Sequence, residues 1–125
     1  MKRAKVLVVD NDQAVLDFMR AKLGKQYDIV ATRDPAAVAG LLRDARPDLI
    51  VCDVDMPGLD GGDISAALYA DDETREIPLL FLTELVSSED LKVRKGQIGG
   101  RPAVSKAAPV AELHAAIEAL LRSRA

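Results

Sequence analysis

The amino-acid sequence predicts an α/β fold in which a parallel β-sheet is covered by helices on both faces. Short apolar runs alternate with longer segments whose apolar residues recur at helical spacing, in the order βαβαβαβαβα. The 125 residues suffice for one domain that buries most of its apolar surface. Because crossovers between parallel strands are right-handed, this alternation indicates a three-layer α/β/α sandwich.

Three short apolar runs and two amphipathic segments make up the first half of the chain. The runs are rich in β-branched residues and too short for helices, which favours strands buried on both faces. Gly24 ends the first amphipathic segment, and Asp34 with Pro35 provides a cap and a first-turn proline for the second. In chain order we expect strand 5–9, a helix with the apolar stripe Val15, Phe18, Met19 and Leu23, strand 28–31, a helix with the stripe Val38, Leu41, Leu42 and Ala45, and strand 49–52.

The second half of the chain is less regular. A loop with Pro57, Gly58, Gly61 and Gly62 precedes a helix that carries Ile64, Ala67 and Leu68, and strand 77–82 then ends at Thr83. Ser87 and Asp90 are typical of a capping box for a short helix that reaches about Lys95. Glycines and a proline at 96–102 predict a loop, followed by at most a short edge strand at 103–105. Pro109 opens the last helix, whose stripe is Val110, Leu113, Ile117, Leu120 and Leu121.

Composition and charge exclude several classes of protein. Seventeen Lys plus Arg against 20 Asp plus Glu give a net charge of −3, which argues against a general binder of nucleic acid or anionic membranes. No apolar run exceeds about five residues, so we expect neither a membrane span nor a signal peptide. The one cysteine, Cys52, has no partner for an internal disulfide. We therefore expect a cytoplasmic protein with a single domain over residues 1–125 and no output domain.

Polar residues follow the predicted strands at their carboxyl ends, where open parallel sheets bind ligands. Clustered carboxylates repel one another unless a cation lies between them, and oxygen ligands alone point to magnesium rather than zinc. A carboxylate beside a divalent ion can attack phosphorus and form an acyl phosphate, whose oxygens an ammonium and a hydroxyl would hold. The residues in question are Asp10, Asn11 and Asp12 after the first strand, Asp53 and Asp55 at the third, Thr83 at the fourth, and Ser105 and Lys106 at the fifth.

Four segments resemble the receiver domain of bacterial response regulators of the chemotaxis type. Residues 53–61 (DVDMPGLDG) are similar to the phosphoacceptor segment of that family, and 6–10 (VLVVD) to its first strand and acidic pocket. Residues 78–83 (PLLFLT) resemble its fourth strand with the switch hydroxyl of Thr83, and Lys106 falls where the family has its lysine. The resemblance covers the whole chain. It implies a flavodoxin-like fold with a five-stranded parallel sheet of strand order 2-1-3-4-5.

The same resemblance implies a function and its participants. A histidine kinase or phosphotransfer protein would phosphorylate Asp53 in a magnesium-dependent reaction, and the domain would signal to a downstream output protein, with homodimerisation as a possible mode. The metal site would comprise Asp10, which orients the ion through water, Asn11, Asp53 and the backbone carbonyl of Asp55, while Thr83 and Lys106 would contact the phosphoryl group. Such a domain is not an enzyme with a free substrate.

The chain departs from the family pattern at four positions. Asn11 replaces a second acid, which we expect to weaken magnesium binding about tenfold or more unless Asp12 or the Asp55 side chain restores the charge. Ala103 replaces a switching aromatic residue, and Glu84 replaces a small residue after Thr83. Ala107 replaces a proline, so a trans peptide after Lys106 is expected.

These departures leave a second hypothesis open. In it, the chain is a pseudo-receiver that acts as a phosphorylation-independent protein-interaction module. A flavin-binding domain of the same topology is disfavoured, because the loop after the first strand carries acids rather than a Ser/Thr/Gly-rich phosphate cradle.

Several polar residues also have simple structural explanations. Asp12 or Asp60 alone would be interpreted as a helix cap, and Cys52 as a small buried hydrophobe. His114 lies beside the apolar stripe of the last helix with no second metal ligand near it in sequence. The basic residues Lys92, Arg94, Lys95 and Arg101 are more typical of a solvated surface than of a binding patch.

Overall fold

Six strands form one sheet in the order β2-β1-β3-β6-β8-β7. The computed structural model describes residues 3–56, 59–84, 90–91, 97–98 and 101–124. The strands are β1 (Lys5–Val9), β2 (Asp28–Thr32), β3 (Leu49–Asp53), β4 (Asp55–Met56), β5 (Leu59–Asp60), β6 (Leu79–Thr83), β7 (Gln97–Ile98) and β8 (Arg101–Ser105). The helices are α1 (Gln13–Leu23), α2 (Val38–Ala45), α3 (Gly61–Tyr69) and α4 (Val110–Arg124), and a 3-10 turn (Pro35–Ala37) leads into α2.

The five parallel strands β1, β2, β3, β6 and β8 carry the fold. Counted along the chain among themselves, they lie in the order 2-1-3-4-5, which confirms the predicted sheet. Every residue of β3 and β6 is buried, as expected of apolar runs covered on both faces. β4 and β5 form a separate antiparallel pair beyond the end of β3.

Two hydrophobic cores lie on the opposite faces of the sheet. Because successive side chains of a strand point to opposite faces, Leu7 and Val9 join one core while Val6 and Val8 join the other. The first core packs against α2 and α3, through Val38, Leu42, Ile64 and Leu68. The second packs against α1 and α4, through Leu16, Met19, Leu23, Leu113 and Ile117. The predicted three-layer arrangement is therefore confirmed.

Helix ends follow the predicted local chemistry. Asp12 caps α1 by accepting a hydrogen bond from the backbone N–H of Ala14 at 2.9 Å. Asp34 does the same for Ala36 at the 3-10 turn, also at 2.9 Å. Gly24 ends α1, where a Cβ would collide with the carbonyl oxygen of Arg20.

The expected loop at 96–102 and edge strand at 103–105 are wrong in extent. β8 begins at Arg101, and β7 pairs antiparallel with its first two residues, whereas 103–105 pair with β6 alone among the described strands. Pro102 is tolerated because β8 pairs with β6 only from Ala103 onward, and the missing N–H therefore removes no bond of that ladder. Of the short helix expected near 87–95, the structure describes residues 90–91, which are helical. The basic residues 92, 94 and 95 lie outside the described part of the chain.

Within the described ranges, no helix combines the length and the apolar character that a membrane crossing requires.

Candidate functional site

The carboxyl ends of the central strands bring the predicted polar residues to one rim of the sheet. The register pairs Val9 with Cys52 and Thr83 with Ser105, so the residues that follow β1, β3, β6 and β8 are neighbours. Asp10 is fully buried and Asp53 is 6% exposed. A buried carboxylate costs free energy unless a positive charge or hydrogen-bond donors compensate for the lost water. The groups around these two residues must therefore supply that compensation.

Lys106 supplies that charge. Its Nζ lies 2.7 Å from Asp10 Oδ2 and 3.4 Å from Asp53 Oδ2, with only 12% of the lysine side chain exposed. The backbone N–H of Lys106 donates to the carbonyl oxygen of Thr83 at 2.8 Å, which fixes the start of the side chain against β6. The ammonium is thus directed between the ends of β1 and β3, and Asp10, Asp53 and Lys106 form one contact group.

The pKa shifts in this group follow from burial and charge. Burial alone would lower the pKa of Lys106, but the hydrogen bond and charge of Asp10, followed by those of Asp53, raise it above its usual value. Burial raises the pKa of the Cys52 thiol to about 12, and the charges of Asp53 and Asp10 add to this effect. Lys106 therefore remains a cation, and Cys52 is the inert buried hydrophobe expected from the sequence.

The two oxygens of Asp10 differ in their surroundings. Oδ1 accepts a hydrogen bond from the backbone N–H of Asp12 at 2.9 Å. Oδ2 contacts the ammonium of Lys106 and no other donor among the residues that the structure describes. A carboxylate oxygen can accept more than one such partner, so this carboxylate suits a hard cation.

A complete metal centre does not emerge from the described side chains. Among them, no three Asp, Glu, His or Cys residues converge as metal ligands. Asp10 and Asp53 provide two carboxylates, while the side chain of Asp55 lies outside what the structure describes. The oxygen-only donor set fits magnesium in kind, and further ligands would have to come from backbone carbonyls or water.

Asn11 and Asp12 follow Asp10 in the chain and are both exposed. Asn11 is exposed, and its backbone carbonyl accepts a hydrogen bond from Arg33 Nε at 3.2 Å. Asp12 is exposed and caps α1, which agrees with its structural interpretation. The Arg33 contact was not anticipated from the sequence, because no local pattern indicates that the residue after β2 reaches the loop after β1.

The end of β8 adds a hydroxyl to the rim. Thr83 and Ser105 are both buried, and Ser105 Oγ accepts a hydrogen bond from the backbone N–H of Ala107 at 3.2 Å. The peptide between Lys106 and Ala107 is trans, as expected. Ala103 is buried beside the β6 residue Phe81 in the sheet. Ser105 therefore holds the turn after Lys106, a role that its predicted position at a strand end did not indicate.

Glu84 reaches the same lysine from outside. Its Oε1 lies 3.6 Å from Lys106 Nζ, and its side chain is 68% exposed. Within the described part of the chain, Lys106 therefore has three carboxylate neighbours, two buried and one at the surface.

Comparison with known proteins identifies the family. Residues 6–118 match the response regulator receiver domain model. The transcriptional regulator RpaA of Synechocystis is 32% identical over 119 residues, which cover 94% of this chain and 49% of RpaA. The response regulator PleD of Caulobacter vibrioides is 42% identical over 84 residues, which cover 66% of this chain and 18% of PleD. The chain thus spans half or less of the length of these two relatives.

Solved structures agree with the sequence comparison. The chemotaxis protein CheY4 of Vibrio cholerae superposes with a TM-score of 0.79 at 25% identity and covers 94% of this chain and 98% of its own. The receiver domain of the Francisella response regulator 1452 superposes with a TM-score of 0.78 at 26% identity and covers 98% of this chain and 100% of its own. The flavodoxin-like strand order 2-1-3-4-5 of the parallel sheet agrees with the order implied by the resemblance. The chain belongs to the response regulator receiver domain family of two-component systems.

Proposed function

We propose that this domain accepts a phosphoryl group on Asp53 from a phosphohistidine of a histidine kinase or phosphotransfer protein. The observation that carries the proposal is the contact of one ammonium, that of Lys106, with the two buried carboxylates Asp10 and Asp53. The geometry supports an anionic nucleophile placed next to a fixed positive charge.

The reaction is a simple displacement at phosphorus. A carboxylate oxygen of Asp53 forms a bond to phosphorus, the P–N bond to the donor imidazole breaks, and the imidazole takes up a proton. Lys106 stays charged throughout the reaction, because its ammonium is paired with the carboxylate of Asp10. The same ammonium can contact the negative oxygens of the transferred phosphoryl group. Thr83 ends the neighbouring strand and is proposed to contact the same oxygens.

Magnesium would be held by Asp10, Asp53 and, by resemblance to the family, the backbone carbonyl of Asp55. When bound, it neutralises negative charge on the phosphoryl oxygens. Asn11 is neutral and exposed, so we propose that it contributes less to the site than an acid would. Hydrolysis of the acyl phosphate would return the domain to its resting state, without turnover of a free substrate.

The wider role is signalling to a downstream output protein, in the cytoplasm and without nucleic-acid contact by this domain. Relatives such as RpaA and PleD are about twice as long as this chain or longer, so the activity of a whole protein is not transferred from them.

The test is formation of a covalent or analogue adduct at Asp53. We expect wild type with magnesium and beryllofluoride, or with a small acyl-phosphate donor, to give amide NMR shifts around the rim and a phosphoryl mass increment. Asp53→Asn should abolish both. Asp28→Asn is the matched control, because Asp28 is an exposed aspartate at the amino end of β2, whereas the rim lies at the carboxyl ends of the strands. Adduct formation that survives Asp53→Asn would refute the assignment.

A pseudo-receiver is the second candidate, favoured by the exposed neutral side chain of Asn11 and by the small Ala103. It predicts no adduct in the wild type and a partner affinity that is unchanged by Asp53→Asn. A pull-down or calorimetric titration with the partner, once identified, distinguishes the two functions.

A further inference from the structure

Glu84 is a charged residue at the rim that the proposed reaction does not use. It follows Thr83 at the end of β6, where the chain leaves the sheet. Its carboxylate lies 3.6 Å from Lys106 Nζ on the solvent side, whereas Asp10 and Asp53 contact the same atom from the interior.

The three contacts of Lys106 are not equivalent. Asp10 and Asp53 are buried at strand ends, so their carboxylates have little freedom to move. The Glu84 side chain is 68% exposed, and its distance to Lys106 Nζ is the longest of the three. An exposed ion pair of this kind is weak and readily exchanged. An anion that arrives at Asp53 would therefore compete with Glu84 first.

We propose that Glu84 competes with the phosphoryl group on Asp53 for the ammonium of Lys106. The inference rests on the proposed phosphorylation of Asp53. A phosphoryl group brings negative oxygens next to Lys106, where the Glu84 carboxylate already attracts the ammonium from 3.6 Å and repels the new charge. Glu84 is thus a positioning residue that disfavours the phosphorylated state and acts through Lys106.

The experiment compares wild type, Glu84→Gln and Glu76→Gln in a beryllofluoride titration at saturating magnesium, followed by amide NMR. Glutamine keeps the size of the side chain and removes the charge. Glu76 is the matched control, because it is an exposed glutamate that precedes β6 at the other end of that strand. We expect Glu84→Gln to bind beryllofluoride about twofold to fivefold more tightly, and Glu76→Gln to stay within about 1.5-fold of wild type.

Ionic strength provides an internal check. The Debye length falls from about 30 Å at 0.01 M salt to about 8 Å at 0.15 M. Because Glu84 is exposed, the gain in Glu84→Gln should shrink as salt rises. A gain that is independent of salt would indicate a steric cause and would overturn the electrostatic competition.

In a magnesium titration without beryllofluoride, the effect of Glu84→Gln on affinity should have the opposite sign. Removal of a nearby negative charge should weaken the binding of a cation, so Glu84→Gln should bind magnesium more weakly than wild type and Glu76→Gln should not. A variant that merely loosens the fold would weaken both ligands, and that pattern would also overturn the proposal.

The remaining outcomes separate this inference from the proposed function. Equal beryllofluoride affinity in all three proteins refutes the competition while Asp53 stays the acceptor. Weaker binding by Glu84→Gln would show that Glu84 anchors Lys106 instead of competing for it. If wild type and Glu84→Gln both lack an adduct that depends on Asp53, the proposed function fails, and the competition fails with it.

Discussion

Lys106 holds together two carboxylates that would otherwise repel each other in a buried setting. Its ammonium lies within 3.4 Å of both Asp10 and Asp53. The raised pKa of Lys106 means that this contribution to stability is fully present below the usual lysine value of 10.5 and is lost as the pH rises through the raised pKa. At neutral pH the stabilisation is therefore complete.

Replacement of this lysine should cost stability in a pH-dependent way. In the absence of divalent ions, Lys106→Met should lower the free energy of unfolding at pH 7 by about 2–4 kcal/mol, because two buried carboxylates lose their cation. The loss should shrink as the pH is raised above 10.5, because the wild type itself loses the contribution of Lys106 as its ammonium deprotonates. Urea denaturation at pH 7 and at a pH above 10.5 measures the change.

Lys22→Met is the control for that experiment, since Lys22 is an exposed lysine on α1. It should change the unfolding free energy by less than about 0.5 kcal/mol. An equal loss for Lys106→Met at the two pH values would mean that side-chain packing, not charge, accounts for the role of Lys106.

At the scale of elements, α4 is tied to the segment before β2 by a polar contact at the edge of a core. The hydroxyl of Tyr27, a buried residue, donates to Glu118 Oε1 at 2.5 Å. His114 Nε2 lies 3.4 Å from the same oxygen, and its ring meets that of Tyr27 edge-on with centroids 5.8 Å apart. The hydrogen bond from Tyr27 has the largest effect and lowers the pKa of Glu118. Burial opposes it, and smaller contributions from His114 and Arg122 add to the lowering.

Tyr27→Phe should weaken this attachment and flatten its pH dependence. A depressed carboxyl pKa contributes stability above the unfolded value of 4.5, and that stability is lost as the pH falls through the folded pKa. We expect Tyr27→Phe to cost about 1 kcal/mol at pH 7 and less as the pH falls toward 3, where the lowered pKa of Glu118 contributes less stability. The cost is modest because the Glu118 side chain is 41% exposed. Urea denaturation of the two proteins across this range measures the difference. A cost that grows on acidification would contradict the assignment.

The elements that the sequence predicts well are those with strong local signals. The apolar run at 5–9 and the caps Asp12 and Asp34 appear where expected, because burial period and cap chemistry are local properties. The pairing of β7 with Pro102 was missed, since the local preference of proline and glycine favours a loop and only the neighbouring strands reverse it.

The functional site shows the same limit. Its residue types are visible in the sequence, but the contact of Lys106 with Asp10 depends on tertiary register. The contact of Arg33 with Asn11 also joins residues that are distant in sequence.

At the scale of the whole molecule, one sheet separates two cores. Ile64 of α3 and Ile117 of α4 are both almost completely buried, one on each face. Because the strands contribute alternate residues to the two cores, loss of either core exposes the other face of the same sheet. The molecule should therefore unfold as one cooperative unit.

A matched pair of substitutions tests this. Ile64→Val and Ile117→Val should each cost about 0.5–1.5 kcal/mol, since each removes one buried methylene. The double variant should lose the sum within about 0.5 kcal/mol, because the two sites share no partner across the sheet, and it should keep a single transition. Urea unfolding followed by circular dichroism gives all three values. Two separate transitions would show that the cores unfold independently.

The short antiparallel strand β7 bears on how the molecule behaves at high concentration. An unpaired strand edge is a template for pairing with other chains and hence for aggregation. Here β7 is only two residues long and pairs opposite Arg101 and Pro102, and Pro102 has no N–H to donate. An incoming strand on this side of the sheet would find a ladder too short to hold it. At the other side of the described sheet, β2 pairs with β1 over five residues. It is therefore a longer template for an incoming strand than β7.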